Sequence, residues 1–169
     1  VAELVRLGAA TADMATVLRA VVEARASLVV TGGTGAGKTT VLAALVAECR
    51  AEERVVVVED VRELDPDHPH VVRLQGRGPN VEGAGGVTLV DLVRQALRMR
   101  PDRLVVGEVR GGEVRQLLAA LNTGHDGGCG TLHANSAAHV PARLEALGLA
   151  AGLGRDAVHA QAAAALDVV

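Results

Sequence analysis

The segment Gly32-Gly33-Thr34-Gly35-Ala36-Gly37-Lys38-Thr39 spaces its glycines, lysine and hydroxyl as G-x-x-x-x-G-K-T, with Thr40 following. Glycine backbone can turn successive N–H groups inward around phosphate oxygens, and a helix opening at Lys38 presents its positive end to the same anion. In this pattern the Lys38 ammonium reaches the β and γ phosphates of a nucleoside triphosphate, and the Thr39 hydroxyl binds Mg²⁺. Composition sharpens the reading: among seventeen Lys plus Arg, Lys38 is the single lysine. At the chain's own residue frequencies a chance match has odds on the order of one in a thousand.

Glu59 and Glu108 each close an apolar run, Arg54-Val55-Val56-Val57-Val58 and Arg103-Leu104-Val105-Val106-Gly107. A carboxylate at such a strand end can hold a metal through water or orient an attacking water. Gly107 stands where common phosphate-loop enzymes carry a metal-binding aspartate, so few protein ligands to the metal are expected: Thr39 and Glu108. Arg73 and Arg77 flank a glycine-rich stretch, from which an arginine could swing toward phosphate in its own subunit or a neighbour's. Such a group is worth about 10³ to 10⁵ in rate. His133 ends a short β segment and reads as a phosphate sensor.

His125, Cys129 and His133 recur every four residues, which raises a metal site or a Cys–His nucleophile. Gly127, Gly128 and Gly130 oppose the helix that would align them, and no carboxylate stands ready to orient a histidine, so neither is expected. His68, His70, His139 and His159 read as surface or ordinary packing.

These residues need a scaffold that brings strand ends together. Met14, Val17, Leu18, Val21 and Val22 follow a 3.6 period, with Thr11 or Asp13 as the cap, predicting a helix over about residues 12–25. A strand at Val29–Thr31 leads into the phosphate loop and a helix from Lys38. Val55–Val58 is apolar on both faces, as a covered parallel strand should be. A shorter β segment at Val71–Leu74 precedes "QGRGPNVEGAGG", too rich in turn formers for a helix and read as mobile. Thr88-x-x-Asp91 is a capping box for a helix that Pro101 ends. Arg103–Glu108 is a strand, residues from Val114 to Leu121 a helix, Thr131–His133 a short strand, and the Ala-rich tail from Ser136 helical. Alternating strands and helices make an α/β domain with a mainly parallel sheet, whose ligands bind at the carboxyl ends of the strands.

At 169 residues the chain suits one domain. No apolar run approaches the roughly 18 residues needed to cross a bilayer, and a cytosolic protein is expected. Cys49 and Cys129 make no disulfide scaffold. A net charge of −3 and the absence of Phe, Tyr and Trp disfavour a nucleic-acid grip. The first residue is Val, so a fragment of something longer is expected.

Five stretches together, "GGTGAGKTT", "ERVVVVEDVREL", "HVVRLQGRGPNVEG", "LVRQALRMRPDRLVVGEVRGGE" and "NTGHDGGCGTLHANS", resemble the type II/type IV secretion and pilus-motor ATPases, nearest to the tight-adherence (Flp) pilus ATPases of CpaF type. The resemblance covers about residues 12–147. It implies a RecA-like phosphate-loop domain that works as a homo-hexamer with ATP and Mg²⁺ at subunit interfaces. Such a motor drives pilus assembly or protein secretion while bound peripherally to inner-membrane platform proteins. By position, Gly32–Thr39 match the Walker A motif and Glu59-Asp60 the aspartate box, with Glu59 as water-orienting base. Arg73 and Arg77 match the arginine-rich segment, Gly107-Glu108 the atypical Walker B, and His133 the histidine box. "GGCG" at 127–130 departs from the small hydroxyl residues expected there. The implied division is 1–26 as linker and helix, 27–147 as ATPase core and 148–169 as helical tail. The resemblance also implies an N-terminal nucleotide-clamping domain outside these residues, so weak activity of this piece alone is expected. Two other readings stay open: a nucleotide-binding assembly module without turnover, and a DNA-translocating motor.

Overall fold

The computed structural model describes residues Val1–Val169. One five-stranded parallel sheet holds β1 (Leu28–Gly32), β2 (Val55–Glu59), β3 (Val71–Gln75), β4 (Arg103–Val109) and β5 (Cys129–His133), in the order β1-β5-β4-β2-β3. Seven helices flank it: α1 (Ala2–Arg6), α2 (Ala12–Glu23), α3 (Lys38–Val46), α4 (Leu89–Arg98), α5 (Glu113–Leu121), α6 (Val140–Ala150) and α7 (Arg155–Ala165).

The valine run of β2 explains the layering. Val55 and Val57 pack with Leu42, Leu45 and Val46 of α3 and Val22 of α2, whereas Val56 and Val58 pack with residues of α4, α5, α6 and α7. Both faces are covered, so alternation of polar and apolar residues has no place, and all four valines are fully buried. This is the α/β fold with a mainly parallel sheet that the alternating pattern predicts.

Two of the seven helices, α2 and α4, start at the caps expected of them, and the other five have no side-chain cap. Thr11 Oγ1 accepts the Met14 N–H at 3.2 Å, and Thr88 with Asp91 closes a reciprocal capping box before α4. The Thr88 hydroxyl and N–H hold the Asp91 carboxyl below its usual range. In contrast α3 begins at Gly37, φ 86°, with no side-chain cap. The helix expected to run to residue 25 ends at Glu23, because Arg25 turns into the left-handed region at φ 55°. The tail is two helices separated at Gly152, φ 80°, after which Val168 O accepts the Val29 N–H at 3.1 Å and covers the edge of β1. Residues 76–87 close through an antiparallel bridge between Arg77 and Val87, with Asn80 Oδ1 accepting the Glu82 and Ala84 N–H groups.

A buried ion network ties the amino ends of the strands. Arg103 (5% exposed) donates to Glu53 Oε2 at 3.2 Å and to Val22 O at 2.9 Å, and Arg25 pairs with the other Glu53 oxygen. The "GGCG" turn is shaped by this packing: a Cβ on Gly127 would collide with the Arg103 guanidinium, and one on Gly130 would sit 2.8 Å from Val106 O. Removing one partner leaves the other charge buried and unpaired. Glu53→Ala is therefore expected to destabilise by about 3–5 kcal/mol, read as a shift in denaturant midpoint at unchanged slope.

Candidate nucleotide-binding cleft

The carboxyl ends of the strands open into a cleft of about 590 Å³ lined by residues 34–40, Glu59, Asp60, Glu63, Gly107, Glu108, Arg110, Thr131 and His133. It has the geometry of an anion site at one end and an acid cluster at the other. The N–H groups of Thr34, Gly35, Gly37, Lys38, Thr39 and Thr40 meet no acceptor within the protein. The last of them open α3, whose uncapped start adds its positive end to the cleft lining. Lys38 Nζ donates to Gly33 O at 2.8 Å, which holds the half-buried ammonium over the loop. Gly32, Gly33 and Ala36, read in the sequence as part of a phosphate cradle, lie at the end of β1 and in its connection to α3.

Facing the loop are residues from β2, β4 and β5. Glu59, 5% exposed, accepts the N–H groups of Glu63 at 3.1 Å and Leu64 at 2.9 Å on one oxygen, Oε1. Glu108 lies where the pairing of β4 with β5 slips, between Val106↔Gly130 and Val109↔Leu132. Such a bulge re-aims the side chains it carries. Thr131 Oγ1 donates to Gly107 O at 2.6 Å across this irregularity. His133 sits beside the loop, in register with Gly32, and its side chain is exposed.

Two cleft residues escaped the sequence reading. Arg110 reaches Asp60 Oδ2 at 3.0 Å and Glu108 Oε2 at 3.7 Å, joining the ends of β2 and β4 by charge. It lies just past the end of β4 at Val109, and nothing beside it in the sequence singles it out. Glu63 lies 3.5 Å from Thr39 Oγ1, brought there by the turn that Glu59 holds. Arg73 and Arg77 lie outside the cleft. Arg73 pairs with Asp65 at 2.6 Å, and Arg77 donates to Gly85 O within its own loop.

Cys129 points into the core, and burial pushes its thiol from the ordinary 9.0 up to about 12. A thiol so protonated is no nucleophile. His68, His139 and His159 find ordinary partners in Arg50 O, Ser136 and Glu145. Because the folded thiol holds its proton more tightly than the unfolded one, stability from Cys129 is intact below pH 9.0 and is lost as pH rises toward about 12. Thermal scans across that window should show Cys129→Ala losing less than the parent chain.

The family model for type II/IV secretion system protein matches residues 1–169. A Mycobacterium tuberculosis protein described as a candidate conjugal transfer protein is 58% identical over 168 residues, 99% of this chain and 48% of its own. Type IV secretion system protein PtlH of Bordetella pertussis is 46% identical over 122 residues, 71% of this chain and 36% of its own. Among solved structures, the VirB11 ATPase from the Brucella suis type IV secretion system, in complex with sulphate, has a TM-score of 0.82 at 34% identity. The match covers 99% of this chain and 49% of that one. The pilus retraction motor PilT with bound ADP has a TM-score of 0.69 at 27% identity over 88% of this chain and 44% of its own. The chain spans about half or less of the length of these relatives. It belongs to the type II/IV secretion system protein family, with the RecA-like sheet and flanking helices shared by that family's secretion and pilus ATPases.

Proposed function

We propose that this chain is the ATP-hydrolysing motor domain of a machine that assembles a pilus or secretes protein at the bacterial inner membrane. One observation carries the reading: the free amides of an uncapped helix, the lone lysine and two strand-end acids line one cleft. The site fits a triphosphate, since six N–H donors and an ammonium belong to residues lining the cleft and have no acceptor of their own beyond Gly33 O. It also fits Mg²⁺, a cation that keeps most of its waters: Thr39 and Glu108 supply hard oxygens, while no group of three His, Cys, Asp or Glu residues forms a full cage. When bound, Mg²⁺ neutralises charge between the β and γ phosphates.

In this reading the amides of residues 34–40 fix the phosphates and Lys38 offsets charge that grows on the γ-phosphate. Glu59 orients the attacking water on the oxygen that does not hold the turn, and Glu108 holds the metal through water. His133 donates to the γ-phosphate. Arg73 and Arg77, outside their own chain's cleft, act on a neighbour's nucleotide in a homo-hexamer. The core is residues 27–147, flanked by the 1–26 and 148–169 segments. The finer placement among tight-adherence pilus ATPases of CpaF type, and the platform proteins as partners at the membrane, belong to the same proposal. A nucleotide-binding module without turnover would not need both acids beside the phosphate loop.

Phosphate release measured against protein concentration tests the proposal. The rate per subunit should climb with concentration and vanish in Glu108→Gln. A rate that is flat with concentration and indifferent to that substitution contradicts it.

A further inference from the structure

The residue before Glu108 is glycine, and the packing around it gives the reason. A Cβ on Gly107 would stand 2.5 Å from Cγ of Glu59, 3.0 Å from its Oε1 and 3.2 Å from its Cδ. Packed carbon atoms sit about 3.5–4.0 Å apart. The Glu59 side chain therefore lies across bare main chain of β4, in the space a side chain at 107 would take.

We propose that Gly107 is a positioning residue for hydrolysis: its missing side chain is the seat of the Glu59 carboxylate, which β2 delivers over β4. This rests on the role proposed for Glu59 as water-orienting base. The seat is fixed on its other sides as well. Oε1 is held by the N–H groups of Glu63 and Leu64. The Gly107 carbonyl is held at 2.6 Å by the hydroxyl of Thr131, itself 2% exposed, where the β4–β5 ladder slips. Carboxylates at 59 and 107 consequently exclude one another. An aspartate at 107 displaces Glu59 instead of adding a ligand to the metal.

A double-mutant cycle on this chain tests the seat: Gly107→Ala made in the parent and in Glu59→Ala, followed by thermal unfolding. Gly107 is outside the left-handed region, so alanine carries no backbone strain there. In the parent, overpacking should lower Tm by about 4–8 °C. In Glu59→Ala, where no Cγ remains, the same change should be neutral or raise Tm, as alanine for glycine in a strand does. Equal losses in both backgrounds overturn the seat.

Turnover gives the functional arm. Gly107→Ala and Gly107→Asp should each lose on the order of a hundredfold in phosphate release, the scale of a misplaced catalytic group. Nucleotide affinity should stay within about threefold, since the phosphate cradle on β1 and α3 is untouched. Full turnover in Gly107→Ala, with Glu59→Gln inactive, overturns the positioning role and leaves the base in place. Full turnover in Glu59→Gln overturns the base, whatever the stability cycle reads.

Discussion

Lys38→Ala should abolish measurable ATP turnover, with a loss on the order of 10²–10³ from one missing charge donor and a further loss in nucleotide affinity. The residue is half-buried, and its ammonium already sits over the loop on Gly33 O. No other lysine exists in the chain to replace it. Fold stability should barely move, because the one bond lost joins a side chain to a partly solvated loop. Lys38→Arg should be nearly as inactive: the planar guanidinium fork does not match a point charge nested among amides. Phosphate release and a nucleotide titration on the same samples read both effects. Parent-like turnover in Lys38→Ala would remove the phosphate loop from the chemistry.

Glu59→Gln should lose about 10²–10⁴ in turnover while nucleotide binding persists. The amide keeps the shape of the buried side chain, and its oxygen can still accept the Glu63 and Leu64 N–H groups. The turn stays in place and only the charge is lost. Glu108→Gln differs in kind. Its side chain is 37% exposed on the bulge and pairs with Arg110, so the change should abolish turnover through the metal, read as a loss of the Mg²⁺ dependence of nucleotide binding. If Glu59→Gln instead weakens nucleotide binding and spares turnover per bound nucleotide, the acid is structural.

Much of this was legible in the residues because the causes are local. A valine run with no polar alternation reads as a doubly covered strand, and Thr11 and Thr88 announce the helices they cap. The phosphate loop is local too, since its glycines, lysine and helix start are contiguous. What escaped depends on pairings between distant segments. The slip between β4 and β5 arises from how Val109 finds Leu132, and nothing at Glu108 itself reveals it. Arg110 matters through Asp60, fifty residues earlier, and Glu63 through a turn held by Glu59. Gly107 reads as a missing ligand in sequence, and only the crossing of the Glu59 side chain turns it into a filled space. The sequence sets Arg73 and Arg77 beside a glycine-rich loop, within reach of phosphate in their own subunit or a neighbour's. In the fold that loop closes on itself through Val87 and keeps Arg77 with Gly85.

Amide hydrogen exchange with and without ATP and Mg²⁺ tests the central claim most directly, because it reads the main-chain N–H groups that are said to grip the phosphates. Exchange should slow at residues 34–40, and less so at 59–64 and 107–110, with the helices of the far face unchanged. Unaltered exchange at residues 34–40 under saturating nucleotide would contradict the account.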